Sequence, residues 1–244
     1  MEHNNIDFVA DDGTTIHAVK YEPGKDAKGV IFLVHGIAEH IARYDEFAQF
    51  LVAEGFAVYG SDIRGHGRTA HNQNEFGDLP DNRDFMTIVD DLHQLRQHIA
   101  REHPNLPCYM LAHSLGSMIA RRYCEQYGDN LSGLILSGSF DNKWTEYLEL
   151  PALYFEWLRI GKHGRSDFIN DIVIGKQNKP FAPTKTDFDW LSRNTSNVKR
   201  YIADPRCGFV ATNYFMHAAA WCGMHVKLKS STAAIPNIPI LIIS

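Results

Sequence analysis

The chain has 244 residues, of which 44% are hydrophobic and 22% are charged, and its formal net charge at pH 7 is −5. This composition is typical of a globular protein with one sizeable core, and the absence of any Lys/Arg run excludes binding to nucleic acid through a basic surface. The N-terminal residues lack the basic and apolar regions of a signal peptide, and no apolar stretch is long enough to span a bilayer. We therefore predict a cytoplasmic protein.

Cysteine and histidine spacing gives no indication of a metal centre. The four cysteines are widely separated, at Cys108, Cys124, Cys207 and Cys222. They form no C-x-x-C pair, and the 13 histidines include no H-E-x-x-H helix. The sequence therefore predicts neither a zinc site, nor a disulfide framework, nor a catalytic metal, and we expect no cofactor.

The first quarter of the chain predicts a hairpin followed by a buried strand and a helix. β-Prone runs at 6–10 and 15–21 flank an Asp-Gly turn, which is typical of an antiparallel hairpin. The run Val30–Val34 is apolar without alternation, as in a strand covered on both faces. Apolar residues at helical spacing over 42–54 then predict an amphipathic helix that ends before Gly55.

The next quarter repeats the same alternation. A strand is predicted over 56–61, and a long helix begins near Asp81 or Asp84 as N-cap. The segment 108–125 and the apolar run 131–137 add a strand, a helix and another strand. The series β-α-β-α-β-α-β predicts an α/β fold with a mostly parallel sheet covered by helices on both faces.

After Gly138 the pattern changes to short helical segments separated by Gly and Pro. Helices with polar N-caps are predicted over 166–175, 186–194 and 212–223, before an apolar strand over 238–244. We therefore assign residues 1–138 to an α/β core, 139–236 to a helical cap and 237–244 to a core strand.

Ser114 lies on a predicted sharp turn between a strand and a helix. The small residues Ala112 and Gly116 flank it in the pattern small-x-Ser-x-Gly. This is the context of a nucleophile elbow, in which a strained turn holds a serine hydroxyl above the sheet. An ordinary turn would show the same local pattern, so the rest of the chain decides between the two interpretations.

Three ordered motifs support the nucleophile. They are HGIAEHIARY at 35–44, DIRGHGRT at 62–69 and AHSLGS at 112–117. With them the chain resembles the α/β-hydrolase superfamily, and within it the monoacylglycerol lipase and lysophospholipase group. DWLSRN at 189–194 and ADPRCGF at 203–209 resemble the cap of that group. The resemblance implies the α/β-hydrolase fold with a helical cap, and Ser114 as nucleophile.

The resemblance also implies an oxyanion hole made by two backbone N–H groups, those of Ile37 and Leu115. The loop that carries Ile37 is expected to be held by hydrogen bonds of four neighbouring side chains, Glu39, His40, Arg43 and Tyr44. A structural role is expected for Asp62, Arg64 and His66 in the second motif, and His113 is assigned to packing.

A serine nucleophile needs a histidine base and a carboxylate that orients it. In the family that the chain resembles, the acid follows the strand placed here at 238–243, and the histidine follows the next strand. Both are expected beyond residue 244, so the chain is interpreted as a truncated hydrolase without the last strand and helix and with very weak or no turnover. Asp141, His217 and His225 are alternatives within the chain, each more typical of a structural residue.

Aromatic residues are concentrated on one helical face of the cap, at Tyr147, Tyr154, Phe155 and Trp157. This face is interpreted either as the lining of a slot for an acyl chain, with Tyr147, Tyr154 and Trp157 binding substrate, or as a surface for transient contact with a membrane. Packing within the cap is an equally good interpretation, because one sequence does not distinguish exposed from buried apolar faces.

The leading functional hypothesis is a serine ester hydrolase that acts through an acyl-enzyme on Ser114. Acyl esters or lipids, namely monoacylglycerols or lysophospholipids, are the substrates that the resemblance implies. A carboxylesterase, a thioesterase or a proline-type aminopeptidase would use the same core. A binding or scaffold protein that keeps the fold without a triad is the alternative from a different class.

Overall fold

The computed structural model describes residues 4–24, 26–139 and 149–243. The strands in this part of the chain are β1 (Asn4–Asn5), β2 (Phe8–Val9), β3 (Thr15–Ile16), β4 (Ala18–Tyr21), β5 (Val30–Val34), β6 (Ala57–Ser61), β7 (Cys108–His113), β8 (Gly133–Ser137) and β9 (Ile240–Ile243). The main sheet has the order β1-β4-β6-β5-β7-β8-β9, with antiparallel pairs from β1 to β6 and parallel pairs from there to β9. The mostly parallel sheet predicted from the sequence is therefore confirmed.

Helices cover both faces of this sheet. They are α1 (Asp45–Ala53), α2 (Phe85–Glu102), α3 (Leu115–Tyr127), α4 (Glu149–Ile160), α5 (Asp167–Val173), α6 (Thr195–Ala203), α7 (Asn213–His225) and α8 (Lys229–Ala234). Alternate residues of β5 point to opposite faces: Phe32 belongs to the core formed with α2 and α3, and Leu33 to the core formed with α1. All of β5 is buried, which explains its unbroken apolar sequence.

Three of the predicted polar N-caps are confirmed, at Asp84, Ser166 and Thr212. The Asp84 carboxylate accepts hydrogen bonds from the N–H groups of Met86 and Thr87 at the start of α2. Ser166 and Thr212 cap α5 and α7 in the same way. These caps satisfy N–H groups that have no partner within the helix, so they are visible in the sequence.

Three predicted elements need correction. The N-terminal hairpin is divided between two sheets, because β2 pairs with β3 while β1 pairs with β4 in the main sheet. The helix predicted over 42–54 begins with a 3₁₀ turn, Ile41–Tyr44, before α1. The helix predicted over 186–194 is wrong: this segment holds only the 3₁₀ turn Asp189–Leu191, and α6 starts after Asn194, which caps it.

The predicted division into core and cap stays a prediction, although several contacts cross it. Helix α7 packs against α2 and α3, and α8 packs against α3. The side chains of β9 are 46–66% exposed. None of the helices in the described residues is long and apolar enough to cross a bilayer.

A buried arginine joins three segments of the core. Arg64, in the turn after β6, donates from Nε to Asp91 Oδ2 on α2 at 2.6 Å and from Nη1 to Asp12 Oδ2 in the N-terminal turn at 2.6 Å. Arg64 and Asp91 are both buried. Burial raises the pKa of Asp91, although the ion pair with Arg64 opposes this shift. The role predicted for Arg64 was structural, and these contacts agree with it.

Replacing Arg64 by methionine is expected to lower the free energy of unfolding by about 3–5 kcal/mol, because the Asp91 carboxylate would stay buried without its partner charge. Arg200→Met is the matched control, since it removes an ion pair with Glu46 in which both side chains are exposed. Its loss should be at most about 1 kcal/mol. Urea unfolding followed by tryptophan fluorescence measures both variants, and equal losses would contradict the analysis.

Candidate active site

Ser114 occupies a strained turn between β7 and α3. Its φ of 51° and ψ of −119° lie in a region that residues other than glycine rarely adopt, at a cost of about 1–3 kcal/mol. The turn is held by hydrogen bonds: the Ser114 N–H donates to the Ser137 carbonyl at 2.9 Å, and the Ser114 carbonyl accepts from the Ser117 N–H at 2.8 Å and from its Oγ at 2.6 Å. This is the backbone geometry expected of a nucleophile elbow.

The loop after β5 lies directly beside this turn, because β5 and β7 are parallel neighbours and their carboxyl ends share one edge of the sheet. Two glycines permit the close approach. A Cβ added at Gly116 would lie 2.5 Å from the His35 carbonyl oxygen, and one added at Gly36 would lie 3.2 Å from the Ser114 Cβ. The packing therefore requires residues without side chains at both positions.

The two predicted oxyanion donors line cavities that Ser114 also lines. Ile37 lines both cavities that reach Ser114, and Leu115 lines the larger one. Within the described residues, no hydrogen bond joins the N–H of Ile37 or of Leu115 to an acceptor. As the first residue of α3, Leu115 has no partner within the helix. Both N–H groups therefore lack an acceptor among the described residues, as the predicted oxyanion hole would require.

A buried carboxylate holds the loop that carries Ile37. Glu39 accepts hydrogen bonds from the Gly36 N–H at 2.7 Å and from the Tyr44 hydroxyl at 3.0 Å, and it pairs with Arg43. Burial alone would raise the pKa of Glu39, but the charge of Arg43 and the Gly36 hydrogen bond hold it below its usual value. The carboxylate is therefore ionised and fully engaged, which matches the supporting role that the sequence predicted.

Residues of the predicted cap also form hydrogen bonds with the loop that carries Ile37. Ala38 has a φ of 52°, and its carbonyl accepts hydrogen bonds from the Tyr201 hydroxyl at 2.9 Å and the Gly208 N–H at 3.0 Å. The Arg43 guanidinium lies 4.7 Å from the centre of the Tyr201 ring. The position of Ile37 therefore depends on residues that follow it by more than 160 positions in the chain.

Ser114 stands at the junction of two cavities. The smaller, of about 280 Å³, has mixed walls, in which Glu39, Arg43, Tyr44, Asn170, Asn197 and Tyr201 alternate with apolar residues such as Phe188, Trp190 and Leu191. It is the more polar of the two and is called the polar cavity below. The larger, of about 340 Å³, is mainly apolar and is lined by side chains that include Met118, Leu150, Leu153, Met216, Ala219 and Met224. Neither of the two groups of potential metal-binding side chains in the described residues includes a residue that lines these cavities.

Of the aromatic residues predicted to bind substrate, Tyr154 and Trp157 line neither cavity. Tyr154 is 61% exposed, and Trp157 packs edge-on against Tyr214. Tyr147 lies outside the described residues. Helix α4 instead presents Leu150 and Leu153 to the apolar cavity. The apolar cavity is thus lined by leucines that neighbour the predicted aromatic residues on the same helix.

Tyr154, Phe155 and Leu158 are all more than 60% exposed on α4. They form the surface that the predicted membrane contact would need, and that contact stays a prediction.

The sequence also raised the question of what His113, His217 and His225 do. His113, assigned there to packing, lines both cavities, which corrects that interpretation. His217 accepts a hydrogen bond from Trp221 Nε1 at 3.1 Å, and His225 binds Glu125 at 2.9 Å. No hydrogen bond joins a described histidine to the Ser114 hydroxyl. The alternative acid, Asp141, lies outside the described residues.

The motif after β6 is structural rather than part of a cavity wall. The buried Asp62 carboxylate accepts hydrogen bonds from the N–H groups of Ile41 and Arg68, both at 2.7 Å, and so ties this turn to the neighbouring loop. His66 is fully buried, and burial lowers its pKa to about 3, so the ring is neutral. Neither these two residues nor Arg64 lines the cavities.

Sequence comparison matches this chain to one family and shows that it is similar to several lipases. The profile of the serine aminopeptidase S33 family matches residues 25–244. The monoacylglycerol lipase of Mycolicibacterium smegmatis is 33% identical over 81% of this chain and 63% of its own length. The monoglyceride lipase of Rattus norvegicus is 32% identical over 81% of this chain and 58% of its own length. This chain therefore spans less than two thirds of the length of these relatives.

Structural comparison agrees with the sequence. A highly thermostable carboxyl esterase from Bacillus coagulans superposes with a TM-score of 0.87 and 29% identity. The superposition covers 98% of this chain and 78% of the esterase. Nearly every described element thus has a counterpart in a solved structure.

The strain at Ser114 can be measured by comparing two variants that both lack the hydroxyl. Glycine adopts the observed φ freely, whereas alanine retains the strain of about 1–3 kcal/mol. The greater entropy of glycine in the unfolded chain offsets about 0.4–1 kcal/mol of this gain. Ser114→Gly should therefore be more stable than Ser114→Ala by about 1 kcal/mol in chemical denaturation. A glycine variant less stable than the alanine variant would show that the turn is not strained.

Proposed function

From the premise that the chain belongs to the serine aminopeptidase S33 family and has the α/β-hydrolase fold, we propose that the complete protein is a serine ester hydrolase that forms an acyl-enzyme on Ser114. The observation that carries this proposal is the placement of Ser114. It occupies a strained elbow, at the point where a polar and an apolar cavity meet, and the N–H groups of Ile37 and Leu115 beside these cavities have no acceptor among the described residues. A plain turn would need none of these features.

The proposed reaction begins with attack of Ser114 Oγ on the ester carbonyl carbon, while a base takes the hydroxyl proton. Negative charge then develops on the carbonyl oxygen, where the N–H groups of Ile37 and Leu115 stabilise it. Collapse of this intermediate breaks the bond to the alcohol, which leaves with the proton from the base. Water repeats the sequence on the acyl-enzyme and releases the acid.

The base and its orienting carboxylate are proposed to lie outside the described residues. No described histidine is hydrogen-bonded to Ser114, and His217 and His225 are engaged elsewhere. The fold requires the order Ser, Asp or Glu, His along the chain, which agrees with this placement.

The two cavities support a substrate with one apolar arm and one polar arm. We place the acyl chain in the apolar cavity, where contacts with Met118, Leu153 and Met216 would bury its methylene groups. The alcohol part would face the polar cavity beside Asn197 and Tyr201. Monoacylglycerols and lysophospholipids have this division, and two relatives are lipases for monoacylglycerols by name.

The family is named after serine aminopeptidases, so an aminopeptidase is the alternative function. Such an enzyme would bind the ammonium group of a peptide. A carboxylate in the polar cavity would be the natural partner for that charge. The carboxylate that lines this cavity, Glu39, is already paired with Arg43 and accepts two further hydrogen bonds. An ester without a positive charge therefore fits the site better than an aminoacyl substrate.

A fluorophosphonate probe tests the nucleophile in the complete natural protein. We expect labelling of Ser114, no labelling of Ser114→Ala, and hydrolysis of p-nitrophenyl acyl esters in preference to aminoacyl p-nitroanilides. A folded protein that resists the probe would instead support a binding or scaffold role. Preference for the anilides would support an aminopeptidase.

The assignment of the acyl chain is tested by narrowing the apolar cavity. Ala219 lines it on α7, so Ala219→Leu should shorten the longest acyl chain that is hydrolysed efficiently and leave short esters nearly unaffected. The neighbouring Ala218, which lines neither cavity, gives the matched control Ala218→Leu. The kcat/KM for a series of acyl esters measures the effect, and an unchanged chain-length profile in Ala219→Leu would place the acyl chain elsewhere.

A further inference from the structure

A histidine, a carboxylate and a thiol meet where the segment after α6 packs on the loop after β5. Nε2 of His40, a carboxylate oxygen of Asp204 and Sγ of Cys207 all lie within 4.8 Å of one another. His40 is buried, and the other two side chains are half-buried. From this cluster we propose that His40, Asp204 and Cys207 form a Zn²⁺-binding site, separate from the reaction proposed at Ser114.

The donor set is one that Zn²⁺ prefers. Imidazole nitrogen, thiolate sulfur and carboxylate oxygen are its usual protein ligands, and three of them leave the fourth tetrahedral position for water. Bonds of about 2.0–2.3 Å place tetrahedral ligand atoms roughly 3.3–3.7 Å apart. His40 Nε2 and Asp204 Oδ2 are now 2.8 Å apart, so they must separate by only about 0.5–1 Å to admit the ion.

Charge and protons balance when Zn²⁺ binds to these three side chains. The His40 Nε2–H donates to the Asp204 carboxylate, and the metal replaces this proton while the imidazole takes the Nδ1–H tautomer. The Cys207 thiol releases its proton on binding, because the thiolate is the form that coordinates the metal. The resulting thiolate and the carboxylate together neutralise the two charges of the ion.

Arg206 orients the Asp204 carboxylate, but its charge opposes the binding of a cation. Its backbone N–H and its Nε donate to Asp204 Oδ1 at 2.9 and 3.2 Å, and its Nη2 donates to Oδ2 at 3.3 Å, so Oδ2 is shared between Arg206 and His40. The guanidinium charge, however, repels a cation at the same carboxylate. Removing that charge while keeping the backbone hydrogen bond should therefore strengthen metal binding.

The site spans the contact between the cap and the oxyanion loop. His40 follows Ile37 by three residues, and Gly208, next to Cys207, donates its N–H to the Ala38 carbonyl. A bound ion would thus fix the cap segment on the loop that carries the Ile37 N–H. No zinc-binding motif is visible in the sequence, because His40 and Asp204 are 164 positions apart.

Cobalt is the probe for this site, because a thiolate ligand gives Co²⁺ a strong charge-transfer absorption in the near ultraviolet. Titration of the reduced, metal-free chain should produce this band with one equivalent of Co²⁺, and Zn²⁺ should displace it. Cys207→Ser should abolish the band, Asp204→Asn should weaken Co²⁺ binding by about tenfold or more, and Arg206→Gln should tighten it.

Two controls make the result decisive. Cys222→Ser, at a buried cysteine on α7, should keep the band. The other candidate cluster in the described residues, Glu22, Glu102 and His103, contains no sulfur, so Co²⁺ binding without the band would place the ion there and overturn the proposal. A wild-type chain with a native circular dichroism spectrum that binds no Co²⁺, or a band that survives in folded Cys207→Ser, would also overturn it. If Cys207→Ser does not fold, the affinity of Asp204→Asn decides, and an unchanged affinity rejects the site.

Discussion

The close approach of helix α3 to the end of strand β5 is the constraint on which the candidate site depends. Parallel pairing of β5 with β7 places their carboxyl ends side by side, and Gly116 lets the first turn of α3 press against the backbone of β5. A Cβ at Gly116 would lie 2.5 Å from the His35 carbonyl, and backbone cannot move aside as a flexible side chain can. Any larger residue would separate the N–H groups of Ile37 and Leu115. The geometry of the site is thus set by backbone packing before any side-chain chemistry.

Features of the fold that arise from local physics could be predicted from the sequence. A strand buried on both faces needs apolar residues throughout, so Val30–Val34 was recognisable by itself. The caps of α2, α5 and α7 were recognisable because a polar side chain must satisfy the first N–H groups of each helix. Helix α6 was missed, because only Val198 and Tyr201 of its residues are buried and their partners lie elsewhere in the chain.

The candidate site shows the same difference between features set by neighbouring residues and features set by distant ones. Ser114, Ile37 and Leu115 were proposed from motifs in which each residue is defined by its immediate neighbours. The cavity walls were not predictable, because they depend on which face of a helix another element covers. On α4, Leu153 is buried and lines the apolar cavity, while the adjacent Tyr154 is exposed. Both side chains are large and largely apolar, so the sequence alone could not show which of the two faces the cavity.

Two non-glycine residues with positive φ occur in the described part of the chain, Ala38 and Ser114, and they are held by different parts of the protein. Ser114 is fixed by hydrogen bonds to Ser137 and Ser117, which belong to the sheet and to α3. Ala38 is fixed by Tyr201 and Gly208, both in or near the cap. Because strain of about 1–3 kcal/mol persists only where the surroundings enforce it, a movement of the segment that carries Tyr201 and Gly208 would relax Ala38 but not the elbow. The backbone of the proposed nucleophile is therefore held by the sheet and α3, whereas the loop of the proposed oxyanion donor Ile37 is held jointly by Glu39 and by the predicted cap.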